Sequence, residues 1–108
     1  MFFNGFTVIF LKQFYFGISL TLPILLVLAL AIVTIGLFVG KGEGWSWFDS
    51  LYWAFITATT IGYGDFRPTR RGSRLLAILA GFLGLMLSGI TVAVAIEATT
   101  KALESIPR

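Results

Sequence analysis

Residues 14–39 contain no charged side chain, and neither do residues 75–96. As helices, these runs would be about 39 and 33 Å long at 1.5 Å per residue, enough to cross a hydrocarbon layer of roughly 30 Å. In lipid, every main-chain polar group must be satisfied within the protein, so two such runs restrict the chain to two spanning helices. The composition agrees: 57% of the 108 residues are hydrophobic, 12% are charged and mean hydropathy is +0.94, too apolar for a soluble domain of this size. There is no cysteine, which excludes disulfides and thiol-metal sites. There is no histidine and no cluster of carboxylates, which argues against an enzyme. The net charge of +3 comes with scattered basic residues and points to no nucleic-acid partner.

The segments around the two runs are as informative. Residues 1–13 are rich in phenylalanine, with Asn4, Lys12 and Gln13 as polar points. No positive charge precedes Lys12, so the stretch reads as an interfacial segment feeding the first span rather than a signal peptide. Pro23 lies inside the first span, where a kink is expected rather than a break. Residues 40–44 hold Lys41 and Glu43 between glycines and are expected to end the first helix as a short polar loop. Ser46 with Asp49 three residues on resembles a capping box, opening a helix over 46–59 that is too short to span. A half-spanning helix followed by irregular chain is tolerated at membrane depth only when protein surrounds it. In the last span, Ala80, Gly84 and Ser88 form a stripe of small residues suited to close helix approach.

Between the short helix and the second span lies Thr57-Ala58-Thr59-Thr60-Ile61-Gly62-Tyr63-Gly64-Asp65. A dehydrated cation needs oxygen ligands on all sides, and carbonyls supply them without fixed charge. An ordinary strand points successive carbonyls to opposite sides. Aiming them at one axis needs left-handed dihedrals, which Gly62 and Gly64 adopt at little steric cost. The Thr60 hydroxyl can add a further ring of oxygens below, and Tyr63 would point away from the axis and pack behind the strand.

This stretch resembles the selectivity-filter signature of potassium channels, with Ile61 where the commonest form has valine. Phe48-Asp49-Ser50-Leu51-Tyr52 is similar to the pore-helix stretch of two-transmembrane channels, and the resemblance to the prokaryotic potassium-channel pore covers roughly residues 16–101. The resemblance implies an all-α membrane protein with two transmembrane helices, a re-entrant pore helix and a selectivity filter, assembled as a homotetramer. The expected boundaries are an outer helix at 14–39, a pore helix at 46–59, a filter at 60–64 and an inner helix at 75–101. Potassium would be bound by Thr60, Ile61, Gly62 and Tyr63, with Gly64 completing the filter, and no cofactor is implied. Tyr52, Trp53, Thr59 and Asp65 fall among the residues that support the filter, Tyr52 where relatives place a donor to the carboxylate after it. Gly84 falls on the hinge glycine of the inner helix and Gly89 on a second small position. Glu97 is expected at the inner mouth, and Arg67 at the outer mouth, where relatives place an aromatic. Ile56 departs from members that carry a glutamate behind the filter, and Gly72-Ser73 is shifted by one residue from the usual glycine.

The resemblance places the protein in the cell membrane with both termini cytoplasmic. Counting charges opposes this, because Lys41, Arg67, Arg70, Arg71 and Arg74 lie between the spans while the termini hold Lys12, Lys101 and Arg108. The order of the filter motif is given precedence, and anionic lipid bound near Arg74 would reconcile the two. One chain supplies one filter strand, so a homotetramer is expected. A non-selective monovalent cation channel, a four-repeat potassium transporter and a non-conducting membrane interaction protein are the alternatives. With no voltage-sensor helices and no ligand domain, either gating is intrinsic to the pore or the natural protein is longer.

Overall fold

The computed structural model describes residues 5–106 and contains three helices, α1 (Gly5–Glu43), α2 (Trp47–Ala58) and α3 (Arg71–Glu104), with no strand among the described residues. It is an all-helical membrane protein in which α1 and α3 are both long and apolar enough to span. Residues 1–4 of the expected interfacial segment lie outside the described residues. From Gly5 onward that segment is helical and continuous with the outer helix, because nothing between Phe6 and Pro23 breaks the chain. The helix also continues through Pro23.

The expected stop at residues 40–44 is displaced to its far end. Gly40 remains helical and packs against α2, where a Cβ would collide with the side chain of Ser50. Gly44 supplies the stop: its φ is +80° and Trp45 N–H donates to the Gly40 carbonyl at 2.9 Å. This is the left-handed glycine termination with its six-to-one hydrogen bond.

The chain divides into two compact units. The unit Leu26–Ser88 holds α2 together with parts of α1 and α3. Ser46 caps α2, its hydroxyl accepting Asp49 N–H at 3.1 Å, as the Ser-x-x-Asp spacing foretells. Two apolar clusters hold this unit. Ile32, Ala54 and Ala58 pack with Leu83 and Leu87; Val39, Trp53 and Ala80 pack with Ile35, Trp45 and Phe66. Close approach is possible because the α1 and α3 faces carry glycine. A Cβ at Gly36 would lie 2.7 Å from that of Ala54, and one at Gly84 would lie 2.7 Å from Ala58 Cα.

The other unit joins the part of α1 up to Leu25 to the part of α3 from Gly89 onward. Gly17 faces Val94 there, with room for no side chain: a Cβ would lie 2.6 Å from Val94 Cγ1. Glu97 and Lys101 form an exposed ion pair at 3.6 Å along one face of α3.

Candidate functional site

The irregular segment after α2 is hung from the end of that helix. A helix leaves its last four carbonyls without internal donors. Here the chain turning back supplies three of them with partners. Phe55 O accepts Thr59 N–H at 3.0 Å and the Thr59 hydroxyl at 2.8 Å. Ile56 O accepts both Ile61 N–H at 2.9 Å and Gly62 N–H at 3.1 Å, while Thr57 O accepts Thr60 N–H at 3.2 Å. The fourth, Ala58 O, accepts the Ser88 hydroxyl of α3 at 2.9 Å. The side chain of Ile56 offers no polar group behind the segment, but its carbonyl anchors it.

Left-handed dihedrals alternate along the segment. Thr60, Gly62 and Gly64 have φ of 64°, 57° and 82°, and no intervening residue has positive φ. Alternation of this kind cancels the pleat that turns every second carbonyl away, which is what a row of oxygens on one side requires. Sequence reasoning placed the left-handed positions at the two glycines. Thr60 is the addition, and no signal in a threonine could have found it, since a branched side chain disfavours that conformation. Ile61 and Tyr63 are 53% and 69% exposed in the single chain, so any packing of Tyr63 behind the segment requires further chains.

An aromatic group joins α2 to the chain on either side of it. Trp53 is buried and its ring centroid is 5.7 Å from that of Trp45. Trp45 meets Phe66 edge-on at 5.4 Å, and Tyr52 meets Phe66 at 6.1 Å. Tyr52 also reaches Asp65: hydrogen bonding to that carboxylate, then desolvation and the carboxylate's charge, hold the phenol above its ordinary pKa. Asp65 Oδ1 accepts Phe66 N–H at 3.1 Å. Trp45 and Phe66 were not singled out from sequence. Their signal was their position, one aromatic at each end of the re-entrant stretch.

The loop before α3 is clamped by a residue that the sequence presented only as loop charge. Glu43 accepts Thr69 N–H and Arg70 N–H, each at 3.0 Å, and the Thr69 hydroxyl at 2.8 Å. Arg70 returns a bond to Gly42 O at 3.0 Å. The first turn of α3 has no acidic residue of its own, so Glu43 supplies the anion that the helix N-terminus favours. Arg67 lies exposed over the end of the segment, its Cδ 3.9 Å from where a Cβ of Gly64 would be. Arg67 and Arg74 line a polar cavity of about 590 Å³ with Asp65 and Trp45.

The remaining expected residues lie on α3. Gly84 packs against Ala58, and the small-residue stripe predicted from sequence is the α3 face that receives α2: Ala80 is fully buried and Ser88 bonds Ala58. Gly89 has nothing within 4 Å of a built Cβ. Glu97 shares its charge with Lys101.

No solved structure matches the chain significantly. Among curated proteins, it is 48% identical over 44 residues to TWiK family of potassium channels protein 7 of Caenorhabditis elegans, covering 41% of this chain and 8% of that protein. It is 49% identical over 41 residues to two-pore potassium channel 1 of Arabidopsis thaliana, covering 38% and 11%. With human potassium voltage-gated channel subfamily A member 5 it shares 35% identity over 49 residues, covering 45% and 8%. The matched stretch thus spans about a tenth of the length of these relatives. The family model described as "Ion channel" matches residues 24–101, which takes in about half of α1, all of α2, the alternating segment and almost all of α3. The chain belongs to the ion channel family.

Proposed function

We propose that this chain is one subunit of a homotetrameric, potassium-selective channel in the cell membrane, with both termini cytoplasmic. The observation that carries the reading is the alternation of left-handed φ at Thr60, Gly62 and Gly64. Carbonyls aligned on one side of a single strand are of no use alone. Four such strands around an axis make successive rings of oxygens that replace the hydration shell of an ion, the mechanism known for potassium-channel filters. Thr60, Ile61, Gly62 and Tyr63 would hold potassium as the permeating ion, and Tyr63, exposed in one chain, would be covered by neighbouring subunits. The names of the relatives above, all potassium channels, support the choice of ion.

Tyr52, Trp53, Thr59 and Asp65 support the filter through the contacts described. At the inner mouth Glu97 would be paired with Lys101, as it is in the single chain, rather than a bare carboxylate, which would weaken its pull on cations. At the outer face, the cavity beside Arg67 and Arg74 suits the phosphate of an anionic lipid, which would account for so many arginines between the spans.

Purified protein in planar bilayers with potassium on one side and sodium on the other tests the reading. A reversal potential displaced strongly toward potassium is expected, with rubidium permeant and barium blocking. A value near zero means a non-selective channel, and no current means no channel. Gly62→Ala is expected to abolish conduction. The single chain has open space for the methyl, but a left-handed alanine costs about 1–2 kcal/mol in every subunit.

A further inference from the structure

We propose that Ser88 is a positioning residue of the filter, its hydroxyl holding the last carbonyl of α2 in place. The inference rests on the channel reading for its meaning but not for its geometry. Of the four terminal carbonyls of α2, those of Phe55, Ile56 and Thr57 are satisfied by the chain immediately following. Ala58 O is the one whose donor comes from another helix, 30 residues on, at 2.9 Å. Ala58 is buried, so solvent is a poor substitute as donor. Gly84, one turn earlier on the same face of α3, lets the two backbones meet: a Cβ there would lie 2.9 Å from the same carbonyl oxygen.

The consequence reaches the filter through short covalent and hydrogen-bonded steps. Ile56 O, two residues before Ala58, carries both Ile61 N–H and Gly62 N–H. A shift in the last turn of α2 therefore moves the two amides at the centre of the filter. It also follows that the stretch of α3 from Gly84 to Ser88 is committed to the pore helix. Gly89, the residue after Ser88, differs from Gly84 in that its missing Cβ meets no neighbour in the single chain. Gly84 is then a seat and not a hinge.

The test compares Ser88→Ala, Ser88→Thr and Ser88→Val in the full chain, reconstituted in nanodiscs. Threonine keeps the hydroxyl; valine has the same shape without it. Amide hydrogen exchange at Ile61 and Gly62, read by nuclear magnetic resonance, is expected to quicken about fivefold in the alanine and valine variants and to stay at the parental rate in the threonine variant. Filter open times in bilayers are expected to follow the same order. Parental exchange in both Ser88→Ala and Ser88→Val overturns the proposal, as does equal change in the threonine and valine variants, which would make the side chain's shape the cause. If the valine variant does not assemble, the alanine–threonine comparison decides alone. Exchange needs no current, so a parent that conducts no potassium would sink the channel reading and leave this result standing.

Discussion

Glu43 holds Thr69 twice, accepting its amide at 3.0 Å and its hydroxyl at 2.8 Å across 26 residues of sequence. Together with the Arg70 amide, these bonds fasten the top of α1 to the start of α3, with the post-filter loop between them. Glu43→Gln keeps one acceptor oxygen and loses the charge that strengthens all three bonds. The loop should loosen without change to the filter's own dihedrals. Open times are expected to shorten severalfold while the potassium/sodium reversal potential stays parental, both measured in single-channel recordings. An unchanged open time would show that the clamp does not bear on the filter.

Tyr52 gives a pH dependence whose sign follows from its partner. Asp65 raises the phenol's pKa, so the folded state favours the protonated form more than the unfolded chain does. The contribution is complete below the ordinary tyrosine value and disappears as pH rises through the higher folded value. Filter stability should therefore be flat through neutral pH and fall above roughly pH 10. Tyr52→Phe removes the titrating group, so its open times should be shorter at neutral pH and lack the alkaline fall. Recordings at pH 7 to 11 on both proteins check this, and parallel profiles would remove Tyr52 from the account.

The two inner-helix glycines should separate on substitution. Alanine is the better helix former by roughly 1 kcal/mol, so both Gly84→Ala and Gly89→Ala would stabilise α3 taken alone. At Gly84 the new methyl would lie 2.7 Å from Ala58 Cα and 2.9 Å from its oxygen, both main-chain atoms that cannot turn aside. Gly84→Ala is expected to lower the melting temperature of the assembled protein, while Gly89→Ala leaves or raises it and reduces open probability. Equal melting temperatures would return Gly84 to the role of a simple hinge.

What the sequence made legible was local. An uncharged run long enough to span, a serine three residues before a carboxylate, and two glycines around a tyrosine each act within a few residues of themselves. The features that escaped are those made by distance. Nothing in Lys41-Gly42-Glu43 shows that the carboxylate will reach Thr69 and Arg70. The small residues Ala80, Gly84 and Ser88 announced a close helix contact but not that its partner is the end of α2. The glycines of residues 40–44 mark a helix end, yet at Gly40 the missing side chain makes room for Ser50, and it is Gly44 that takes the left-handed turn. Thr60 shows the converse, a branched residue in a conformation that glycine favours.

In the proposed channel, Arg67 would decide how the outer mouth treats large cations. Its side chain lies against Gly64 at the end of the filter segment and is exposed. In a fourfold assembly it becomes a ring of four guanidinium groups around the axis. A tetraalkylammonium ion is held at such a mouth by aromatic faces, each contact contributing roughly 0.5–2 kcal/mol. Arginine offers a cation no such face and repels it instead. External tetraethylammonium should therefore block the parent weakly, and Arg67→Tyr should strengthen block by about tenfold or more, one decade being about 1.4 kcal/mol. The same charge lowers the potassium concentration at the mouth, and salt screens it over about 8 Å at physiological strength. Inward conductance of Arg67→Tyr should accordingly exceed that of the parent at low ionic strength and converge with it at high. Block titrations and conductance–salt curves on the two proteins check both halves. Strong block of the parent with no gain in the mutant would mean that Arg67 does not face the pore entrance.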